Sequence, residues 1–176
     1  MVRVMKFFGF FLFFVGSLLY FLPKSSLYYY GEKELYKHKV ILSEELIKER
    51  GFSLELEDSK LFYDSLESAK ISSIEIRPFL VHNSIIAKDI VLTDIAVSFL
   101  PLKIEDVKVT YSIFNPLNIV AKVEGEFGHA DITIGIVDKK INLHLIPSEL
   151  MLKKYTKSLR MFKKDEQGEY HYAKDL

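Results

Sequence analysis

Between Phe52 and Ile146 apolar residues keep returning at every second position, and this pattern limits the fold more than any other feature of the chain. Successive strand residues point to opposite sides of a sheet, so a period of two marks strands buried on one side only. FSLELE sets Phe52, Leu54 and Leu56 against Ser53, Glu55 and Glu57. DVKVTYSI aligns Val107, Val109, Tyr111 and Ile113, with Lys108, Thr110 and Ser112 facing the other way. IVAKVE aligns Ile119, Ala121 and Val123; ADITIGIV aligns Ile132, Ile134 and Ile136; KINLHLI aligns Ile141, Leu143 and Leu145. The connections N-P-L-N, G-E-F-G-H and D-K-K carry turn chemistry. The pattern predicts an antiparallel meander with one apolar and one polar face. Ile71 is out of phase with Ile74 and Ile76, which predicts a bulge at Ser72–Ser73. The same slip separates Ile90 and Leu92 from Ile95, Val97 and Phe99.

The amino-terminal end follows a different rule. Phe7 to Leu22 is a run of sixteen residues without a charge, extended past Lys6 by Val4 and Met5. At 1.5 Å per helical residue, Val4 to Leu22 reaches roughly 28 Å, against a hydrocarbon core of about 30 Å. A buried helix of a soluble domain would carry a polar stripe, and this run has none. A cleaved signal needs small residues at its cleavage site, whereas L-Y-F-L-P-K-S-S offers bulky, proline and charged ones. The segment therefore reads as a retained anchor. Arg3, Lys6 and the amino terminus favour the cytoplasmic side, with Lys24 a weak counterweight. Tyr28, Tyr29 and Tyr30 then read as an interfacial belt on the far side, or else as one helical turn packed on the domain. The expected location is a bacterial inner membrane, crossed once, with the domain in the periplasm.

Charges balance at 24 basic and 24 acidic; removing Arg3 and Lys6 with the anchor leaves 22 against 24. That slight acidic surplus excludes a nucleic-acid binder, which would show a basic one. The absence of cysteine removes disulfides and thiol nucleophiles, so packing alone must hold an exported domain.

Flanking the strands are two helical stretches. Ser26 to Lys39 places Leu27, Tyr30, Glu34 and Lys37 at three- and four-residue steps. Val40 to Leu42 is a short extended piece. Ser43 to Gly51 reads as a capped helical turn: Ser43 at the N-cap, Glu44 and Glu45 in the first turn, Gly51 as the stop. After Pro147, Leu152, Tyr155, Leu159 and Phe162 share one helical face and Lys153, Lys157, Arg160 and Lys164 another. This basic amphipathic helix packs its apolar stripe on the sheet, or else lies on a membrane surface or against a partner. Glu169 to Tyr172 reads as an edge strand or a loose tail. The expected fold is thus mainly β with flanking helices. It divides into a transmembrane anchor (1–24), a juxtamembrane helical segment (25–51), a curved antiparallel β domain (52–147), and an amphipathic helix and tail (148–176).

Width sets a further condition. Four strands span about 19 Å and one helix about 10 Å. The carboxy-terminal helix can cover only about half of the apolar face, and the rest must meet the N-terminal strands, a partner or lipid.

The order of features resembles a known group. F-L-P-K (Phe21 to Lys24) closes the anchor, and a helix with G-E-K-E-L (Gly31 to Leu35) follows. One-sided strands come next, then L-R-M-F-K-K-D-E-Q-G-E-Y-H-Y (Leu159 to Tyr172). This resembles the N component of the type II (general) secretion pathway and the AsmA-like inner-membrane-anchored periplasmic β proteins. D-S-K-L-F-Y-D (Asp58 to Asp64) is a loose counterpart, without glycines, of that family's small-residue turn with a central aromatic. The resemblance implies a curved antiparallel sheet attached to the inner membrane. For the AsmA-like group it also implies movement of lipid along an apolar groove. It brings no catalytic residues.

The residues themselves offer little chemistry. His38, His82, His129, His144 and His171 show no H-x-H or H-x-x-x-H pairing. His129 and His144 fall on the polar phase beside Asp131 and Asn142 and read as solvated. Glu44–Glu45, Glu57–Asp58 and Asp165–Glu166 sit at helix starts or turns, and no G-x-S-x-G or P-loop is present. The expectation is a non-enzymatic protein without cofactor or metal. Its partners would be the membrane and other envelope or secretion proteins, its sheet edges adding strands from them. The alternative is a lipid-binding module. Both readings meet at the row Val107, Val109, Tyr111, Ile113, Ile132, Ile134, Ile136, Ile141, Leu143 and Leu145: covered by protein it is core, uncovered it receives something apolar.

Overall fold

The computed structural model describes residues 2–93, 101 and 103–175. α1 (Val2–Phe21) is the apolar helix, and Arg3 to Phe21 is long and apolar enough to cross a membrane, with none of it buried and only its last turns touching the rest of the protein. A signal sequence shares that character. Pro23, which cannot continue a helix, separates α1 from α2 (Lys24–Lys37).

The strands are β1 (Val40–Ser43), β2 (Leu46–Glu49), β3 (Leu54–Tyr63), β4 (Leu66–Pro78), β5 (His82–Leu92), β6 (Lys103–Ser112), β7 (Asn118–Gly125), β8 (Gly128–Gly135) and β9 (Lys140–Pro147). Two short helices, α3 (Glu149–Lys154) and α4 (Thr156–Leu159), lead to β10 (Lys163–Lys164) and β11 (Tyr170–Asp175). Among the described residues these strands form one open antiparallel sheet in the order β1-β3-β4-β5-β6-β7-β8-β9-β11-β10, with β2 also on β3. Hairpins join β3 to β4, β4 to β5, β6 to β7, β7 to β8 and β8 to β9, as alternation without crossover helices requires. The β3–β4 turn is Asp64–Ser65, both at positive φ, the geometry whose twist matches the strands it joins. Asp58 to Tyr63, read above as part of an aromatic turn, is strand, and only Asp64 lies in the turn.

The phase slip in β4 is present and extends beyond one strand, but it is not the bulge expected at Ser72–Ser73, since no residue is inserted there. Pairing skips Ser72 without a change of register, and its neighbours in β3 and β5 are Asp58 and Asp89, both left-handed at φ 53 and 50. Beyond them β6 shifts register between Ile104 and Asp106. On one side of this line Leu56, Ile74, Ala87 and Val107 carry the apolar phase; on the other Leu61, Ile71, Ile90 and Ile104 carry it. Ile95, Val97 and Phe99 lie outside the described residues.

Three expectations need correction. Ser43 to Gly51 is not a helical turn: β2 occupies it, because Ile47 opposite Leu56 buries an apolar side chain on β3 and Lys48 pairs with Glu57. The segment 25–51 therefore gives its second half to the sheet. The carboxy-terminal helix is broken at Tyr155 (φ −115, ψ 28), and Met151 rather than Leu152 is its buried anchor. The chain has to turn there to bring Lys163–Lys164 beside β11. Finally, the tail is a strand that runs further than Glu169–Tyr172: Tyr170–Asp175 pairs along its length with β9, while β10 covers only Tyr170 and His171 and leaves Tyr172–Asp175 as an edge.

Candidate functional site

Cross-strand partners carry the apolar phase through the whole sheet. Ile47 faces Leu56, and the row continues through Ile74, Ala87, Val107, Val123, Ala130 and Leu145 to Tyr170. A parallel row runs Leu54, Ile76, Ile85, Val109, Ala121, Ile132, Leu143 and Tyr172. Eight spacings of about 4.8 Å make this face roughly 38 Å wide.

Its cover is partial. At one side α2 packs Tyr28 into a cluster with Leu54, Leu56, Ile71 and Ile74. At the other, Met151 of α3 and Leu159 of α4 join Phe127, Ala130 and Leu145. Of the ten residues expected to share the row, Leu145 is buried, Ile113 and Ile136 are about half exposed at 50% and 46%, and the remaining seven are partly buried. Among the described residues no second layer of strands folds over them.

Between α2 and strands β3–β5 lies a cavity of about 520 Å³ lined by Leu27, Tyr28, Leu35, Leu56, Ile74 and Ile85, among others. A hollow of about 250 Å³ continues from it along Val109, Tyr111 and Ile119, and the two share Ile76, Pro78 and Ile85. Together they form an apolar trough on the uncovered middle of the face. Where α2 walls it, the Tyr28 hydroxyl donates to Glu45 Oε1 at 2.9 Å. Burial, then this bond, pushes the Tyr28 phenol far above its ordinary range. Burial also raises Glu32, assisted by the charge of Glu45. Tyr28 thus belongs to the core, in keeping with the packed-turn reading. Tyr29 and Tyr30 stay exposed, as do Arg3 and Lys6 on α1.

One end of the sheet adjoins the apolar helix. Tyr20 of α1 packs edge-on to Phe52 at 5.6 Å between ring centres, and Phe52 stacks on Phe79 of the β4–β5 turn at 6.3 Å. The β6–β7 and β8–β9 turns are at the same end, joined through Ile113 N–H to Val81 O (3.2 Å) and Ile136 N–H to Leu117 O (2.8 Å). These three turns expose Leu80, Val81, Phe114 (84%), Leu117 and Val137 (74%). Reasoning from sequence missed them because attention to turn residues favours Asn, Pro and Gly; the signal was a large hydrophobe inside each turn.

The polar face carries the one group among the described residues with metal-ligand geometry: His144, Glu169 and His171. His144 was expected as a solvated residue beside Asn142; the register sets it opposite Asp131, and β11 adds His171 on its other side.

The fold is therefore an open one-sided sheet joined to a membrane-length helix, with an apolar trough on its uncovered face. No known protein family, curated protein or solved structure matches the chain.

Proposed function

We propose that this is a non-enzymatic protein of the bacterial inner membrane, held by α1 with its sheet in the periplasm, and that the trough holds the acyl chain of a lipid. The observation that carries this reading is where the trough lies: its uncovered part faces the sheet end from which α1 leaves, and that end bears three turns with exposed large hydrophobes. Side chains of that kind enter the headgroup region at low cost, and Lys139 in the third turn with Lys140 at the start of β9 suit anionic lipid. Each methylene moved from water to the trough contributes about 0.8 kcal/mol. The AsmA-like resemblance of the sequence agrees with this use. Strand addition by envelope or secretion partners has less to work with, because the sheet edges are blunt. β1 and β2 offer four residues each; at the other edge β10 offers two lysines and β11 leaves open the four residues Tyr172–Asp175, two of them charged.

The test is photocrosslinking of the full chain in its native membrane, with a benzophenone side chain at Ile85 or Ile119 in the trough, at Ile134, the cross-strand partner of Ile119 next to it, and, on the opposite face, at Lys108. Phospholipid adducts at the first three and none at Lys108 support lipid in the trough. Protein adducts at the trough positions, without lipid, would replace that reading with a partner protein.

A further inference from the structure

We propose that His144, Glu169 and His171, on the polar face away from the trough, form a binding site for one zinc-class divalent ion. The site follows from register. His144 of β9 and His171 of β11 are direct cross-strand partners, and their rings stack at 4.7 Å and 7°. Each ring nitrogen already faces a carboxylate: His144 Nε2 lies 2.6 Å from Glu169 Oε2, and His171 Nε2 lies 2.9 Å from Asp165 Oδ2. The turn before β11 is folded around these acids, since Asp165 Oδ1 accepts the backbone N–H of both Gln167 and Glu169 at 2.9 Å. Such outer bonds hold ligands in orientation.

Ligand atoms of the three residues lie within 4.8 Å of one another. Bonds of about 2.1 Å at a tetrahedral angle put ligands about 3.4 Å apart, so the widest pair closes by about 1.4 Å, within reach of side-chain rotation. An adjoining cavity of about 370 Å³, lined by Asp131, Thr133, Asn142 and Lys163 besides the two histidines, has room for the ion and a water or an added carboxylate. Two neutral imidazoles with a carboxylate select zinc, cobalt or nickel over calcium or magnesium, which prefer all-oxygen shells. Bound metal would tie β11 to β9.

The experiment uses the full chain in detergent, free of any polyhistidine tag and stripped with chelator. Zinc is titrated by calorimetry, and Co²⁺ is added as a spectroscopic reporter. One zinc per chain is expected, with a cobalt visible spectrum typical of four-coordinate nitrogen and oxygen ligation. His144→Asn and His171→Asn should each weaken binding by about tenfold or more, and Glu169→Gln should weaken it as well. His38→Asn, outside the group, should leave it unchanged. Zinc should also raise the thermal midpoint of the parent chain and not that of the double histidine variant, whose circular dichroism reports whether it folds. No zinc uptake by the parent, or an affinity unchanged in a folded double variant, overturns the site.

Discussion

Glu49 and Lys24 show how two side chains fasten the junction of α1 and α2 to the sheet. The Lys24 ammonium donates to the carbonyls of Tyr20 (3.2 Å) and Leu22 (2.9 Å), satisfying the end of α1. At the other side of Pro23, α2 has no N-cap bond from its own sequence. Glu49 of β2 takes that role, accepting Lys24 N–H at 2.6 Å and the Ser25 hydroxyl at 2.7 Å. The Ser25 bond, then the Lys24 backbone bond, holds the Glu49 carboxyl below its usual range. A depressed carboxylate stabilises the fold above the ordinary glutamate value of about 4.3 and loses that contribution as pH falls through its folded value. Glu49→Gln should cost about 1 kcal/mol at pH 7, the usual worth of a helix cap, and should flatten acid unfolding below pH about 4.3. Denaturant titration at both pH values checks it. Tyr28 shifts the other way. Its raised phenol favours folding below the ordinary tyrosine value of about 10, and that contribution fades as pH rises beyond it. Tyr28→Phe should cost about 1 kcal/mol at pH 7 through the lost Glu45 bond, and should remove the alkaline loss seen by circular dichroism. Neither role is readable from local sequence, because Glu49 lies 25 residues from Lys24 and the bond exists only once β2 has joined the sheet.

At the scale of elements, β6 to β9 were legible because each buries one side, so alternation records the burial directly. Ser43–Gly51 was not legible: Ser-Glu-Glu ahead of Leu-Ile imitates a capped helix start, and Ile47 gains its partner Leu56 only through β3. The slip at Ser72 was visible as a change of phase, but its alignment with Asp58 and Asp89 needed the register of three strands. That alignment is testable. Aspartate tolerates the left-handed region and β-branched residues do not, so Asp58→Val and Asp89→Val should each cost about 1–2 kcal/mol. Asp→Gly at either position should cost less, since glycine accepts positive φ freely, and chemical denaturation ranks the four variants. The carboxy-terminal stretch has the periodicity of a single helix with no proline or glycine to stop it. The break at Tyr155 is imposed by the return of β10 and β11 to the sheet.

For the whole molecule, the proposed loading of lipid makes the turns beside α1 the point of contact with the membrane. Burying one side chain the size of Phe114 contributes about 2 kcal/mol, and a tenfold change in an equilibrium needs about 1.4. Phe114→Asp with Val137→Asp should therefore lower lipid crosslinking at Ile134 by roughly tenfold or more, with unchanged circular dichroism and unchanged retention of α1 in the membrane fraction. An unaltered crosslink yield would show that the turns do not assist loading. The sequence by itself determined two things: an apolar helix of membrane length, and a one-sided antiparallel sheet. Both are written as local periodicity, a run with no polar stripe and a repeat of two. Tertiary structure alone decided which part of the apolar face stays open and which turns gather beside α1. It also decided that His144 meets His171. Those outcomes depend on strand order and on where α2, α3 and α4 come to rest. They join residues far apart in the chain, and a local pattern holds no record of such meetings.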